Sequence, residues 1–285
     1  MVVLHGSGND GSTNMRILAV LTKGDTVAGT MDAAVMAAAS VTCSSIEALN
    51  VIVDPAHLVC PPEEIDMQEL RTHDEGSLQQ RADAIKSAFG EWNIVLRPEA
   101  PSIELRTITG PEAQTVLRET TADIALVVLS HNRNMDAADA FHAEIFTAHR
   151  PVLLVPPGWK AGARARFSHV AVGLTDSDLA RRAIETAGPW LEAAERVSAL
   201  RVTDESNADR TLNTVMQGSG VTPEVHILPR SDKTIGAQLV READALKADV
   251  LVTGAFSHSE WLEWLMGHET REVLAAADLP LLLVH

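Results

Sequence analysis

The sequence predicts an α/β protein of two doubly wound domains in tandem, each built on a five-stranded parallel sheet. Three observations carry that expectation. Four segments of the first half recur in the same order in the second. Each half alternates short β-branched apolar runs with longer stretches of helical spacing, the pattern of strands joined by crossover helices. Between the halves lies Pro156-Pro157-Gly158-Trp159-Lys160-Ala161-Gly162-Ala163-Arg164-Ala165-Arg166, where two prolines and two glycines mark a linker.

The recurrences run in chain order. Arg16–Thr22 returns as His169–Thr175, and Glu47–Asp54 as Ser198–Asp204. Ala122–Val128 returns as Ala248–Gly254, and Arg150–Val155 as Leu279–Val284. A period of about 130 residues is that of a duplicated domain, not of a solenoid. In the second half, His169–Leu174, Val197–Val202, Glu224–Leu228, Asp249–Thr253 and Leu281–Val284 read as buried parallel strands. Leu179, Ala180, Ala183, Ile184 and Ala187 keep a helical spacing between them, as do Ile235, Leu239, Ala243 and Leu246. Parallel strands so joined require right-handed crossovers. The expected organisation is a disordered leader over 1–14, a first domain over 15–157, a linker over 158–166 and a second domain over 167–285. Within residues 55–90, Pro55, Pro61 and Pro62 with an acidic cluster predict a long loop ahead of a helix that ends near Phe89.

Charge narrows the function. The 285 residues hold 23 basic and 39 acidic side chains, a net charge of −16. Residues 15–157 contribute −10 and residues 158–285 contribute −5. Nucleic acid and anionic membrane, which need a basic footprint, are therefore not the expected partners. The chain has no Tyr and 4% aromatics, too few for base-stacking platforms. A small nucleotide stays compatible, because backbone N–H groups can hold it with little net positive charge. The longest apolar runs are too short to span a bilayer. The N-terminus lacks the basic-then-apolar order of a signal peptide, and cytoplasmic residence is the default. Cys43 and Cys60 cannot make a disulfide framework or a four-thiolate zinc site. Cys43 reads as a small buried residue and Cys60, beside Pro61, as a loop residue without an activating neighbour.

In an open parallel sheet, ligands bind beyond the carboxyl ends of the strands where strand order reverses. In the second half this points to the loops after Leu174, Val202 and Thr253. The third runs from Gly254 through Ser257, Gly267, His268 and Thr270. A glycine after the fourth strand, a small residue three positions on and a glycine ten further resemble the universal stress protein family, here as a tandem of two domains over residues 15–285. The resemblance implies a Rossmann-like five-stranded α/β sandwich and, in some members, ATP or AMP with Mg²⁺. It also implies pairing through the last strand, which in a tandem becomes a pseudo-dimer within one chain, joining Val152–Val155 to Leu281–Val284. The assembly expected is a monomer or a weak homodimer, with a protein partner that the sequence does not identify.

Carried over by position, the resemblance assigns Gly254, Ser257, Gly267, His268 and Thr270 to phosphate, and Thr175 with Val202 to the nucleoside. The pattern is eroded at three places. Ser257 replaces a glycine, His268 stands where Ser or Thr is expected, and Thr175 stands where an acidic residue ends the first strand. Gly254–Thr270 holds no Lys or Arg, while Glu260, Glu263 and Glu269 add three negative charges that repel a triphosphate unless Mg²⁺ or Arg271 compensates. Ser257 and Glu260 also form a capping-box sequence. The balance falls slightly on the side of no cofactor. In the first half, Leu129–Asp139 contains no glycine, and Ser130 to Pro151 spans 21 positions against 26 from Gly254 to Pro280. Thr22 again occupies the acidic position. No nucleotide site is expected there, and the first half reads as a structural partner.

Enzymatic readings find little. His258, Glu260 and His268 match no standard metal spacing. There is no Gly-x-Ser-x-Gly elbow, and Gly218-Ser219-Gly220 reads as a turn. No catalytic residue and no metal ligand are assigned; slow background hydrolysis of ATP stays open. The function expected is a stress-response or regulatory binding protein, with weak adenine-nucleotide binding in the second half left open. The alternative is an interaction or structural module that has lost the nucleotide.

Overall fold

The computed structural model describes residues 15–41, 43–54, 56, 62–94, 102–130, 139–174, 178–204, 220–231, 234–254 and 277–284. Residues 1–14, assigned above to a leader, lie outside the described residues. The first half contributes strands β1 (Met15–Val20), β2 (Cys43–Ile52), β3 (Ser102–Thr109), β4 (Ile124–Ser130) and β5 (Val152–Val155). Its helices are α1 (Val27–Ala39), α2 (Pro62–Glu75), α3 (Leu78–Ile94), α4 (Glu112–Glu119) and the short α5 (Asp139–His142), which runs into a π-helical turn, Ala143–Ala148. The second half contributes β6 (His169–Gly173), β7 (Arg196–Val202), β8 (Glu224–Leu228), β9 (Val250–Gly254) and β10 (Leu281–Val284), with α6 (Asp178–Ala193) and α7 (Ile235–Ala245).

The ten strands among the described residues form one sheet, in the order β3-β2-β1-β4-β5-β10-β9-β6-β7-β8. Every neighbouring pair is parallel except β5 with β10. Each half thus has the doubly wound order expected, with its reversal between β1 and β4 in one half and β6 and β9 in the other. The antiparallel pair is the seam implied by the resemblance: Leu281 faces Leu154, Leu282 faces Leu153 and Leu283 faces Val152. Since Pro151 and Pro280 are counterparts in the repeat, Leu153 lies opposite its own copy, Leu282. That is the isologous contact of a twofold dimer, made within one chain.

Side chains alternate across the sheet because strand residues point to opposite faces in turn. Ile17, Ala19, Leu126, Val128, Val170, Val172 and Leu282 face a core that includes residues of α1, α3 and α6. Leu18, Val20, Val127, Leu251, Leu281 and Leu283 face one that includes residues of α5 and α7. The first core is continuous across the seam. Trp190 of α6 donates its indole N–H to the carbonyl of Ala37 in α1 at 3.0 Å. The alanine run of α1 permits this approach, with Ala33, Ala34 and Ala37 fully buried. Gly29 on the same helix is required by proximity: a Cβ there would meet the carbonyl oxygen of Trp159 at 2.7 Å.

One expectation is corrected. Residues 62–75 are helical, and not part of a loop. Pro62 opens α2 at the first helical position, where its fixed φ suits the helix and its missing N–H costs nothing. The prolines therefore punctuate a helix start. Cys43 begins β2 and is half-buried; its thiol bonds the carbonyl of Ser45 at 3.2 Å, and burial raises its pKa. Cys60 lies outside the described residues.

Candidate functional site

The reversal of strand order in the second half sets Gly173 of β6 beside Thr253 of β9. Gly254, the last residue of β9, follows directly and pairs with Val284 of β10. Gly254 thus leaves the sheet at the carboxyl edge, next to the crevice between β6 and β9. The crevice is closed on one face by α7: a Cβ at Gly173 would meet Leu239 at 2.9 Å. Thr234 caps that helix, its hydroxyl accepting from the N–H of Ala237 at 3.3 Å. Leu174 continues β6 by donating its N–H to Leu200 at 2.8 Å.

Val202 ends β7, buried among the residues on the α7 face. The chain beyond it is tied down. Thr203 donates its N–H to Leu228 at 2.9 Å, and the Asp204 carboxylate accepts from the N–H of Arg230 at 3.0 Å. Of the residues assigned to a nucleotide, Gly254 and Val202 are therefore positioned at the carboxyl ends of β9 and β7. Ser257, Gly267, His268, Thr270 and Thr175 lie outside the described residues.

The same corner of the first half is built differently. Ser130 ends β4 and pairs with Val155, as Gly254 pairs with Val284. The register makes Ser130 the counterpart of Gly254, and its hydroxyl donates to the carbonyl of Val155 at 3.0 Å. The repeat read from sequence is offset here, because β4 spans seven residues against five in β9 and its pairing with β1 carries an irregularity between Arg16 and Ile17. Thr22, after β1, accepts at its carbonyl from Arg71 Nη2 at 2.7 Å. Arg71 comes from α2 and is also paired with Glu75 at 3.1 Å. Arg81 of α3 donates to Gln68 at 2.9 Å. Thr22, Gln68, Arg71 and Arg81, together with Asn50, line a small pocket at the carboxyl ends of β1 and β2. Sequence reasoning missed this cluster because it placed a loop where α2 lies. The i,i+4 spacing of Arg71 and Glu75 was the available signal.

The opposite, amino-terminal edge is tied by ion pairs and hydrogen bonds in both halves. Glu47 is held between Arg16 and Arg106, and Arg16 also reaches Asp123 at 3.1 Å. At the equivalent place His169 bonds Ser198 at 3.0 Å, while Asp249 accepts from the N–H groups of Ser168 and His169 and pairs with Arg164 at 2.8 Å. Burial, with Arg196 nearby, lowers the pKa of His169.

No family model and no curated protein matches the chain. Solved structures do. A universal stress protein from Archaeoglobus fulgidus DSM 4304 superposes with a TM-score of 0.58 at 14% identity, over 94% of this chain and 95% of that one. A functionally unknown protein from Pseudomonas aeruginosa PAO1 superposes with a TM-score of 0.51, also at 14% identity, over 94% of this chain and 92% of that one. The chain has the universal stress protein fold, in a tandem arrangement along nearly its whole length. Among the described residues no helix is long and apolar enough to cross a membrane.

Proposed function

We propose that this chain is a regulatory binding protein of the universal stress protein type, and that its second half takes an adenine nucleotide, ATP or AMP. The observation that carries the reading is Gly254, which ends β9 beside the β6–β9 reversal and opens the spaced Gly254, Ser257, Gly267 sequence. Glycines at such a loop let backbone N–H groups approach phosphate. Ser257, Gly267, His268 and Thr270 then serve the phosphates, while Thr175 and Val202 serve the nucleoside. Mg²⁺ offsets the acidic side chains of the loop. The limits proposed for the units remain 15–157 and 167–285, and the first half serves as the structural partner.

A second reading is an interaction module without nucleotide, acting on a protein partner. It is favoured by the three acidic and absent basic side chains of Gly254–Thr270. Calorimetric titration with ATP, ADP and AMP, with and without Mg²⁺, separates the two. Micromolar binding at one site per chain, abolished by Gly267→Val, supports the nucleotide. No heat and no thermal shift at millimolar nucleotide selects the interaction module.

A further inference from the structure

At the carboxyl ends of β1 and β2, helices α2 and α3 border a pocket of about 20 Å³, partly open to solvent and lined by Thr22, Asn50, Gln68, Arg71 and Arg81 among others. That is room for one particle about the size of a water molecule. Two guanidinium groups meet there, and they are not balanced alike. The charge of Arg71 is offset by Glu75. Arg81 is only 9% exposed, and its one hydrogen-bond partner among the described residues is the neutral Gln68. Its Nε is buried with no partner among the described residues. Burial and the neighbouring Arg71 both push its pKa below the ordinary value, against a weaker pull from Glu75.

An arginine does not escape such a position by losing its proton. A buried cation whose nearest carboxylate among the described residues, Glu75, is already paired with Arg71 is costly, and water in the pocket would solvate it without neutralising it. The lining is rich in donors. The Gln68 side-chain oxygen is already taken by Arg81, so its NH₂ group remains to donate. Asn50 is 4% exposed and adds a second carboxamide. A cation would be repelled, and a space of about 20 Å³ suits a monatomic anion. We propose that this pocket binds a small monovalent anion of chloride's size, held by Arg71, Arg81 and the two carboxamides. The anion fastens α2 and α3 over the ends of β1 and β2. The site lies in the half to which no nucleotide is assigned, so its fate is separable from that of the second-half reading.

Bromide serves as the probe. Anomalous diffraction from crystals of the full chain grown in sodium bromide should place a peak within hydrogen-bonding distance of Arg81 and Arg71. In solution, replacing gluconate by chloride at constant ionic strength should raise the unfolding midpoint by about 2–4 °C at saturation. Arg81→Met should abolish that dependence. Water or an empty pocket in place of the bromide peak overturns the proposal, as does a midpoint indifferent to chloride in the unchanged chain. Both of these measurements stand even if Arg81→Met fails to fold.

Discussion

Glu144 is fully buried on the π-helical turn before β5. One of its oxygens accepts from the Thr120 hydroxyl at 2.7 Å, and the other has no partner among the described residues. Burial lifts its pKa to about 7, with Thr120 and Arg150 pulling the other way. The folded protein therefore keeps this proton over a range where the unfolded chain, titrating near 4.5, has already lost it. Stability from this group is greatest below pH 4.5, declines as pH rises toward 7 and is level above. The whole shift corresponds to about 3 kcal/mol. Asp244, raised to about 6 by burial and by Asp278, acts with the same sign over a lower window. Glu144→Gln, which still accepts from Thr120, is expected to stabilise the protein by about 1–3 kcal/mol at pH 8 and leave it unchanged at pH 4. Urea unfolding at the two pH values measures this; an unaltered pH slope would assign the titration to other groups. Gly29→Ala drives a methyl group against the Trp159 carbonyl and should cost about 1–3 kcal/mol in the same assay.

The strands were legible in sequence because both sheet faces are covered. Runs such as Ile124–Leu129 and Leu281–Val284 are apolar throughout, as strands buried on both sides must be. The duplicated order then implied five strands per half, and the implied seam of Val152–Val155 with Leu281–Val284 is the one observed. Helix α2 was not legible. Prolines ahead of an acidic stretch suit a loop and a helix N-terminus alike, and Leu70 is exposed on a helix with a weak apolar face. With α2 missed, the Arg71–Thr22 bond and the buried Arg81 were missed too. At the site, Gly254 ends its strand at the carboxyl edge as read; the loop comparison set Ser130 against it, as the register does, whereas the strand recurrence set Val128 there, two residues early. The seam itself is testable. Leu153→Asp puts a carboxylate opposite Leu282, in the core shared by both halves. It should destabilise the chain by more than the 2–5 kcal/mol typical of truncating a buried leucine, and should split a single calorimetric transition into two. A single, unshifted transition would mean the seam carries little of the cooperativity.

At the scale of the molecule, closure of β5 on β10 leaves β3 and β8 as the outer strands of one ten-stranded sheet. Cutting the chain in the linker opens two inner edges that are apolar and unprotected, the kind that pair with other chains. Residues 167–285 alone should therefore form a homodimer through β10, seen as a doubled mass in light scattering, and a stable monomer would show that β10 does not need a partner. In the function proposed above, the duplication also separates roles. Among the described residues, the first half sets side chains of α2 and α3 at its carboxyl corner, and the second half ends β9 there with Gly254. That asymmetry is the central claim, and hydrogen–deuterium exchange of the full chain with and without Mg-ATP tests it most directly. Protection is expected in peptides covering 254–274, with none in those covering 21–27 or 130–139. Protection confined to the first half, or no change anywhere at millimolar nucleotide, would contradict it.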